Sequence, residues 1–317
     1  MADLGAVTVE PAATPAPRLR RARLGRALAP YGLLLPAAAV IGGVLGYPLY
    51  LMVKLSFERY GLFQLIQHKG QWIGLGNYRQ LVHDHEFWTV LLRTLLFTGV
   101  TVGLTMALGT LIALLMTRVS AAMRLLLTLA LVLAWAMPVP VAANIWYWMV
   151  DYEFGVANWL LTTLHVGNYQ HHDWFVNPWQ GWGVITTLIV WGAIPFVAIT
   201  LYAGLSQVPQ ELLQAAAIDG ARPWRVFKDI TLPILKPIFV ILTSLSIIWD
   251  FQVFTQVWLL RDERPTSDYF LTGIYAFEQT FSQSEYGYGS AVAISMVLIL
   301  LGVTFFYIRQ MIRIGEV

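Results

Sequence analysis

Residues Gln210–Pro233 read QELLQAAAIDGARPWRVFKDITLP and lie between two long apolar stretches. The Ala-rich first part predicts a short helix, and Gly220 falls where the end of that helix needs a left-handed residue. Pro223 suits the first turn of a second short helix, where its missing N–H does no harm. Pro233 then marks the beginning of the next apolar stretch. We therefore predict a polar helical elbow, residues 206–233, between two membrane helices.

The composition identifies the class of protein. Of the 317 residues, 57% are hydrophobic and only 12% are charged. In soluble domains about a quarter of the residues are charged, so this chain is predicted to be an integral membrane protein. It contains no cysteine, which excludes disulfides and thiolate metal or redox sites.

A helix that crosses the hydrocarbon core needs about 20 apolar residues, and six stretches satisfy this length. They are 31–57, 90–116, 125–149, 182–205, 234–260 and 289–307. We predict an all-α membrane domain of six helices over residues 30–317, preceded by a disordered basic tail at 1–29. The first stretch is too long for the apolar part of a signal peptide, so it is expected to remain as a span. Pro138 and Pro140 are expected to break or kink the third.

The distribution of basic residues predicts the orientation. With the N-terminus in the cytoplasm, 13 of the 20 Lys and Arg residues fall in or beside the inward segments. Cytoplasmic loops of membrane proteins carry such an excess. Both termini, and the elbow, are therefore expected on the cytoplasmic side.

Motifs for catalysis are absent from the sequence. It contains no G-x-x-x-x-G-K-[ST], H-E-x-x-H or G-x-S-x-G pattern. Any ATP-driven machine built on this chain must take its nucleotide sites from another polypeptide. His171, His172 and Asp173 suggest a metal site, but a solvated loop is the commoner setting for such residues. We predict no catalytic residue and no metal site.

One acidic residue, Asp250, lies within a predicted span. A carboxylate in the membrane is costly and by default faces a transport pathway. Its neighbours Trp249, Phe251 and Gln252 supply aromatic rings and an amide, which suit a sugar with apolar faces and hydroxyl groups. Asn144 in the third span is a further candidate for the same cavity. A structural hydrogen bond between spans and a proton relay are the alternative roles of Asp250.

The elbow carries a family resemblance. Its pattern A-x-D-G-A-x-x-W-x-x-F-x-x-I-x-L-P, over residues 217–233, resembles the "EAA" loop of binding-protein-dependent ABC importer permeases. The resemblance implies contact with an ATPase through Glu211, Gln214, Ala215, Ala216, Asp219, Gly220, Trp224 and Phe227. Gln214 stands where the family usually has an acidic residue, and Glu211, one turn earlier, is a candidate replacement.

The resemblance extends over about residues 30–315 and lies with the sugar-importing branch, in particular with the permeases of mycobacterial trehalose importers. It implies a multi-pass protein of the bacterial cell membrane that imports a disaccharide, trehalose. The implied partners are a second homologous permease, two ATPase subunits that hold ATP and Mg²⁺, and an extracytoplasmic sugar-binding protein. No nucleic acid is implied. Trp191 and Phe196 of the fourth span correspond to pathway positions of the family.

Two other classes remain open on the residues alone. An ion-gradient-driven secondary transporter needs intramembrane acids or unwound helices in symmetry-related halves, and only Asp250 is evident. A structural membrane scaffold is the other alternative.

Overall fold

The computed structural model describes residues 34–315, with side chains to residue 313. The predicted tail at 1–29 lies outside the described residues. The chain divides into two units, Met1–Lys54 and Leu55–Val317.

The described part of the first unit is a helix. It belongs to α1, Leu34–Ser56, which includes a π-helical turn at Gly42–Gly46. At 1.5 Å per residue, its 23 residues extend about 34 Å, enough to cross a hydrocarbon core of about 30 Å.

The second unit consists of helices, their connecting loops and one pair of antiparallel strands, β1 (Glu58–Arg59) and β2 (Gln71–Trp72). Its helices are α2 (Leu62–Gln67), α3 (Gly76–His83), α4 (His85–Arg118), α5 (Ala121–Trp135), α6 (Val139–Met149), α7 (Val156–Thr163), α8 (Pro178–Leu205), α9 (Gln210–Ile218), α10 (Pro223–Phe251), α11 (Thr255–Leu260), α12 (Thr272–Phe277) and α13 (Tyr286–Gly315).

Among the described residues, five helices are long and apolar enough to cross a membrane: α1, α4, α8, α10 and α13. Helices α5 and α6 form a sixth span only if they are counted together, since they meet at an angle of 99°. Pro138 accounts for this break, because a proline disfavours helical geometry in the residue before it. The prediction of an all-α membrane fold is confirmed, and the third span is more sharply broken than a simple kink.

The fifth span also differs from the prediction. It ends at Phe251 and not at Leu260, because the backbone leaves helical geometry before α11 begins at Thr255. At its other end, α10 begins at Pro223, within the elbow, and runs without interruption into the span. The predicted second short helix of the elbow is therefore the first turns of the span itself.

Helices α4 and α8 form the most extensive helix pair of the fold and place the site. Their close approach depends on Gly109 of α4, where a Cβ atom would lie 2.6 Å from Cγ1 of Val197 on α8. Val197 packs in a small buried cluster with Ala113 of α4, Leu201 of α8 and Leu242 of α10. This cluster holds α4, α8 and α10 together. On α10 it lies at Leu242, between the elbow and Asp250.

Candidate functional site

The elbow begins with α9, whose end is shaped by Gly220. Gly220 has φ of +69°, and the N–H of Ala221 donates to the carbonyl of Ala216 over 2.9 Å. The N–H of Gly220 donates to Ala217 over 3.1 Å. These two bonds form a Schellman motif, which ends a helix at a left-handed residue. The structure thus confirms the turn predicted at Gly220.

The elbow presents apolar side chains at its surface. Ile218 is 86% exposed and Trp224 is 71% exposed, while Ala216 of α9 is buried. Trp224 and Phe227 stack on each other with ring centroids 5.9 Å apart. These exposed apolar groups lie beside polar residues of the elbow, so they are accessible to a partner.

The other predicted coupling residues surround this surface. Glu211, Gln214, Ala215 and Asp219 are all exposed, so each is accessible to a partner. Glu211 and Gln214 are three residues apart on α9 and lie on one side of the helix. Arg225 and Asp229 form an exposed ion pair at 3.5 Å on α10.

A π-helical turn at Phe227–Thr231 joins the elbow to the span. In this turn the N–H of Leu232 donates to the carbonyl of Phe227, five residues back. Pro233 follows, and in a regular helix its ring would clash with the carbonyl four residues before it. The wider turn accommodates Pro233 without a break, so α10 is continuous from Pro223 to Phe251, with a second proline, Pro237, inside it.

A cavity of about 220 Å³ lies where α5, α6, α8 and α10 meet. Four aromatic side chains line it: Trp135, Trp191, Phe196 and Trp249. The ring of Phe196 meets the ring of Trp249 edge-on, with centroids 5.2 Å apart. The ring of Trp135 is stacked near the same Phe196 ring, with centroids 6.2 Å apart. The structure thus brings together aromatic residues that are 114 positions apart in the sequence.

Asp250 lines the same cavity and is only 4% exposed. Its Oδ2 atom has no hydrogen-bond partner among the described residues. Thr101 of α4 is a polar neighbour of the carboxyl group, but the Thr101 hydroxyl donates to the carbonyl of Phe97 over 3.0 Å. A buried polar atom without a partner costs free energy, so a hydrogen-bond donor brought to this carboxyl group would lower that cost.

Three of the predicted pathway residues do not line this cavity. Phe251 is buried in the main hydrophobic core. Gln252 is exposed, and its amide donates to the carbonyl of Ile248 over 3.0 Å on its own helix. Asn144 is exposed on α6. The axis of α6 is turned by 99° from that of α5.

Gln256 and Trp135 line the cavity and were missed by the sequence analysis. Gln256 lies on α11, beyond the non-helical residues that follow α10. This break turns the chain so that Gln256 and not Gln252 reaches the cavity. The only sequence signal for Gln256 is a second amide in an apolar stretch, and Trp135 carries none beyond its proximity to Pro138.

A larger cavity of about 720 Å³ lies between α4 and α8 and includes Arg93, Trp179 and Trp182. None of the predicted site residues lines it. The guanidinium of Arg93 already donates to the carbonyls of Ser267, over 2.6 Å, and Phe270, over 3.1 Å. We favour the smaller cavity as the site because it contains the buried unpaired carboxylate.

Asp84 holds the beginning of α4 in place. Its Oδ1 accepts from the N–H groups of Glu86, over 2.9 Å, and Phe87, over 3.2 Å. Its Oδ2 accepts from the hydroxyls of Tyr275 and Tyr288. Burial acts to raise the pKa of Asp84, but these hydrogen bonds together outweigh it and hold that pKa below its usual value.

The histidine pair is part of a packed loop. His172 contacts the Gln180 amide oxygen through Nε2 at 3.1 Å and meets the Trp174 ring edge-on. Within residues 34–313, no group of three or more His, Asp or Glu side chains is placed to hold a metal ion.

Known proteins resemble this chain over nearly its whole length. Residues 87–313 match the family model "Binding-protein-dependent transport system inner membrane component". The diacetylchitobiose uptake system permease protein DasB of Streptomyces coelicolor is 42% identical, over 94% of this chain and 91% of that protein. The trehalose/maltose transport system permease protein MalF of Thermococcus litoralis is 31% identical, over 92% of this chain and 95% of the relative.

A solved structure agrees in fold. A bacterial ABC transporter involved in the import of the acidic polysaccharide alginate matches with a TM-score of 0.77 at 20% identity. The match covers 93% of this chain and 99% of that one. The fold prediction and the family resemblance are both confirmed. The chain therefore belongs to the family of binding-protein-dependent transport system inner membrane components, among the sugar ABC importer permeases.

Proposed function

We propose that the cavity beside Asp250 holds part of a disaccharide while the sugar crosses the membrane. The observation that supports this most strongly is the combination of Asp250, Gln256 and four aromatic rings around one cavity among apolar helices. Aromatic walls with a few convergent polar groups are typical of small-molecule sites. In such a site the rings contact the apolar faces of a pyranose, and the carboxylate and amide bind its hydroxyls.

The size of the cavity suggests a shared site. Its volume of about 220 Å³ is below the roughly 300–1,000 Å³ of typical ligand pockets. A disaccharide would therefore need a further wall, which the second homologous permease is proposed to supply. An extracytoplasmic binding protein, as in the family description, would deliver the sugar to this site.

The elbow is proposed as the contact with an ATPase subunit. Ile218 and Trp224 would enter a groove of the ATPase, with Glu211 supplying the acidic group that Gln214 lacks. Helix α10 is 29 residues long, about 43 Å, and continuous from the elbow to Asp250. A displacement of the elbow after ATP binding would therefore be passed along one continuous helix to the cavity wall. The ATP and Mg²⁺ belong to the ATPase subunits, and the cytoplasmic position of the elbow is part of this proposal.

The sugar is proposed to be a disaccharide, with trehalose as the prediction from sequence resemblance. One relative is named for diacetylchitobiose and another for trehalose and maltose, so these three sugars form the test series. Competition against uptake of each labelled sugar would rank them, and a preference for monosaccharides would contradict the proposal.

The site is tested with Trp249→Ala in the complete importer, reconstituted in proteoliposomes with its binding protein. Trp179→Ala, an exposed tryptophan away from this cavity, is the matched control. We expect Trp249→Ala to lower uptake and sugar-stimulated ATP hydrolysis at least tenfold while the subunits still copurify. Wild-type uptake by the assembled Trp249→Ala complex would refute the proposed site. Uptake that survives ATP depletion would favour an ion-gradient mechanism instead.

A further inference from the structure

The cavity beside Asp250 is lined by charge of one sign only. Asp250 is its acidic residue, and Gln256 adds an uncharged amide. Among the described residues, no Lys, Arg or His lines it. The electrostatic character of the cavity wall is therefore set by a single carboxylate.

That carboxylate lies where charge interactions are strong. Asp250 is almost fully buried, and low local dielectric increases the interaction between charges. Its Oδ2 has no hydrogen-bond partner within the described part of the chain. A ligand hydroxyl or ammonium group would donate to this oxygen, whereas a ligand carboxylate has no proton to donate at neutral pH.

We propose, on the basis of the proposed sugar site, that Asp250 selects substrates by charge. The cavity takes uncharged and amine-bearing sugars and rejects sugars that carry a carboxylate. The rejection has two physical causes. A buried like-charge pair is unfavourable, and an anionic ligand would also lose its hydration without gaining a cationic partner.

The packing around Asp250 leaves one of its two carboxylate oxygens without a partner among the described residues. Its polar neighbour on α4, Thr101, directs its hydroxyl to the carbonyl of Phe97. A carboxylate retained only to join two helices would be expected to have both oxygens paired within the protein. Here Oδ2 has no such partner among the described residues, and Asp250 lines the cavity next to Trp249.

The test compares three probes of one size in the purified permease–ATPase complex without the binding protein. The first probe is trehalose or diacetylchitobiose, whichever is imported faster. The others are its derivatives with a 6-amino or a 6-carboxylate group. Binding of labelled sugar at pH 7 is measured for the wild type, Asp250→Asn and Asp250→Glu. Omitting the binding protein ensures that the selectivity measured is that of the permease.

We expect the wild type to bind the 6-carboxylate at least 100-fold more weakly than the neutral sugar. Asp250→Asn should reduce this ratio at least tenfold and weaken the 6-amino sugar, and Asp250→Glu should keep the wild-type order. An unchanged ratio in an assembled Asp250→Asn complex would overturn the charge selection while leaving the sugar site intact. Failure of the neutral sugar to bind the wild type would instead overturn the proposed site as well.

Discussion

Replacing Gly109 by alanine should loosen the contact between α4 and α8. An added Cβ would lie 2.6 Å from Cγ1 and 2.9 Å from Cβ of Val197, and 3.4 Å from the backbone nitrogen of Ala198. Val197 is 1% exposed and β-branched, so its side chain has little freedom to move away. Overpacking of this kind costs about 1–3 kcal/mol.

Gly103, two turns earlier on α4, is the matched control. A Cβ there would meet nothing within 4 Å. Both substitutions gain the same advantage of alanine over glycine in a helix, about 1 kcal/mol. The difference between the two variants therefore isolates the clash, and Gly109→Ala should be about 1–3 kcal/mol less stable than Gly103→Ala.

The assay is thermal unfolding of the purified importer in detergent, followed by tryptophan fluorescence. Gly109→Ala should unfold several degrees below Gly103→Ala and should transport more slowly, because α8 also carries Phe196 of the cavity. The double variant Gly109→Ala/Val197→Ala should recover part of the loss, since it restores space at the contact. Equal midpoints for the two glycine variants would refute the close approach of α4 and α8.

Three further predictions concern other parts of the molecule. Asp84→Ala removes four hydrogen bonds and should lower the free energy of unfolding by about 2–4 kcal/mol. Asp84→Asn keeps the helix cap and should lower it by less. Thermal unfolding measures both. Because the pKa of Asp84 is lowered in the folded protein, its contribution to folding stability should be complete above its usual pKa of about 4 and should be lost as the pH falls further. If Asp84→Asn lost as much stability in acid as the wild type does, this explanation would be contradicted. Gln256→Leu should weaken sugar binding about tenfold, the value of one hydrogen bond, whereas Gln252→Leu should bind as the wild type; the reverse order would exclude Gln256. Ile218→Asp should prevent ATPase copurification, while Gln210→Asp on the same helix should not, and full copurification of both would remove α9 from the contact.

The fold was largely predictable because its strongest signals are local. Apolar stretches of about 20 residues indicate spans wherever they occur. Gly220 indicates a turn because glycine adopts left-handed backbone geometry without steric cost. The elbow pattern also fixed the family, since its spacings hold within a single loop. Three points stay predictions. They are the orientation in the membrane, the replacement of the family's acidic residue at Gln214 by Glu211, and the partners.

The cavity was less predictable because it depends on contacts between distant residues. Trp191, Phe196, Trp249 and Asp250 were chosen from their spans and do lie together. Gln256 lines the cavity where Gln252 was predicted to do so. The cause is the short non-helical segment between α10 and α11, which the composition does not indicate. A break in the third span was expected from Pro138 and Pro140, but not its angle of 99°, and the direction of the helix that carries Asn144 depends on that angle. Burial of Phe251 likewise depends on which helix face meets the core.

Photo-crosslinking tests the central claim most directly. A disaccharide analogue that carries a diazirine group would be imported by the complete complex, activated by light and located by mass spectrometry. The account predicts labels on α8 near Trp191 and Phe196, and on the segment from Trp249 to Gln256. Labels confined to the larger cavity at Arg93 and Trp179 would contradict it, because the sugar would then follow a path that does not pass Asp250.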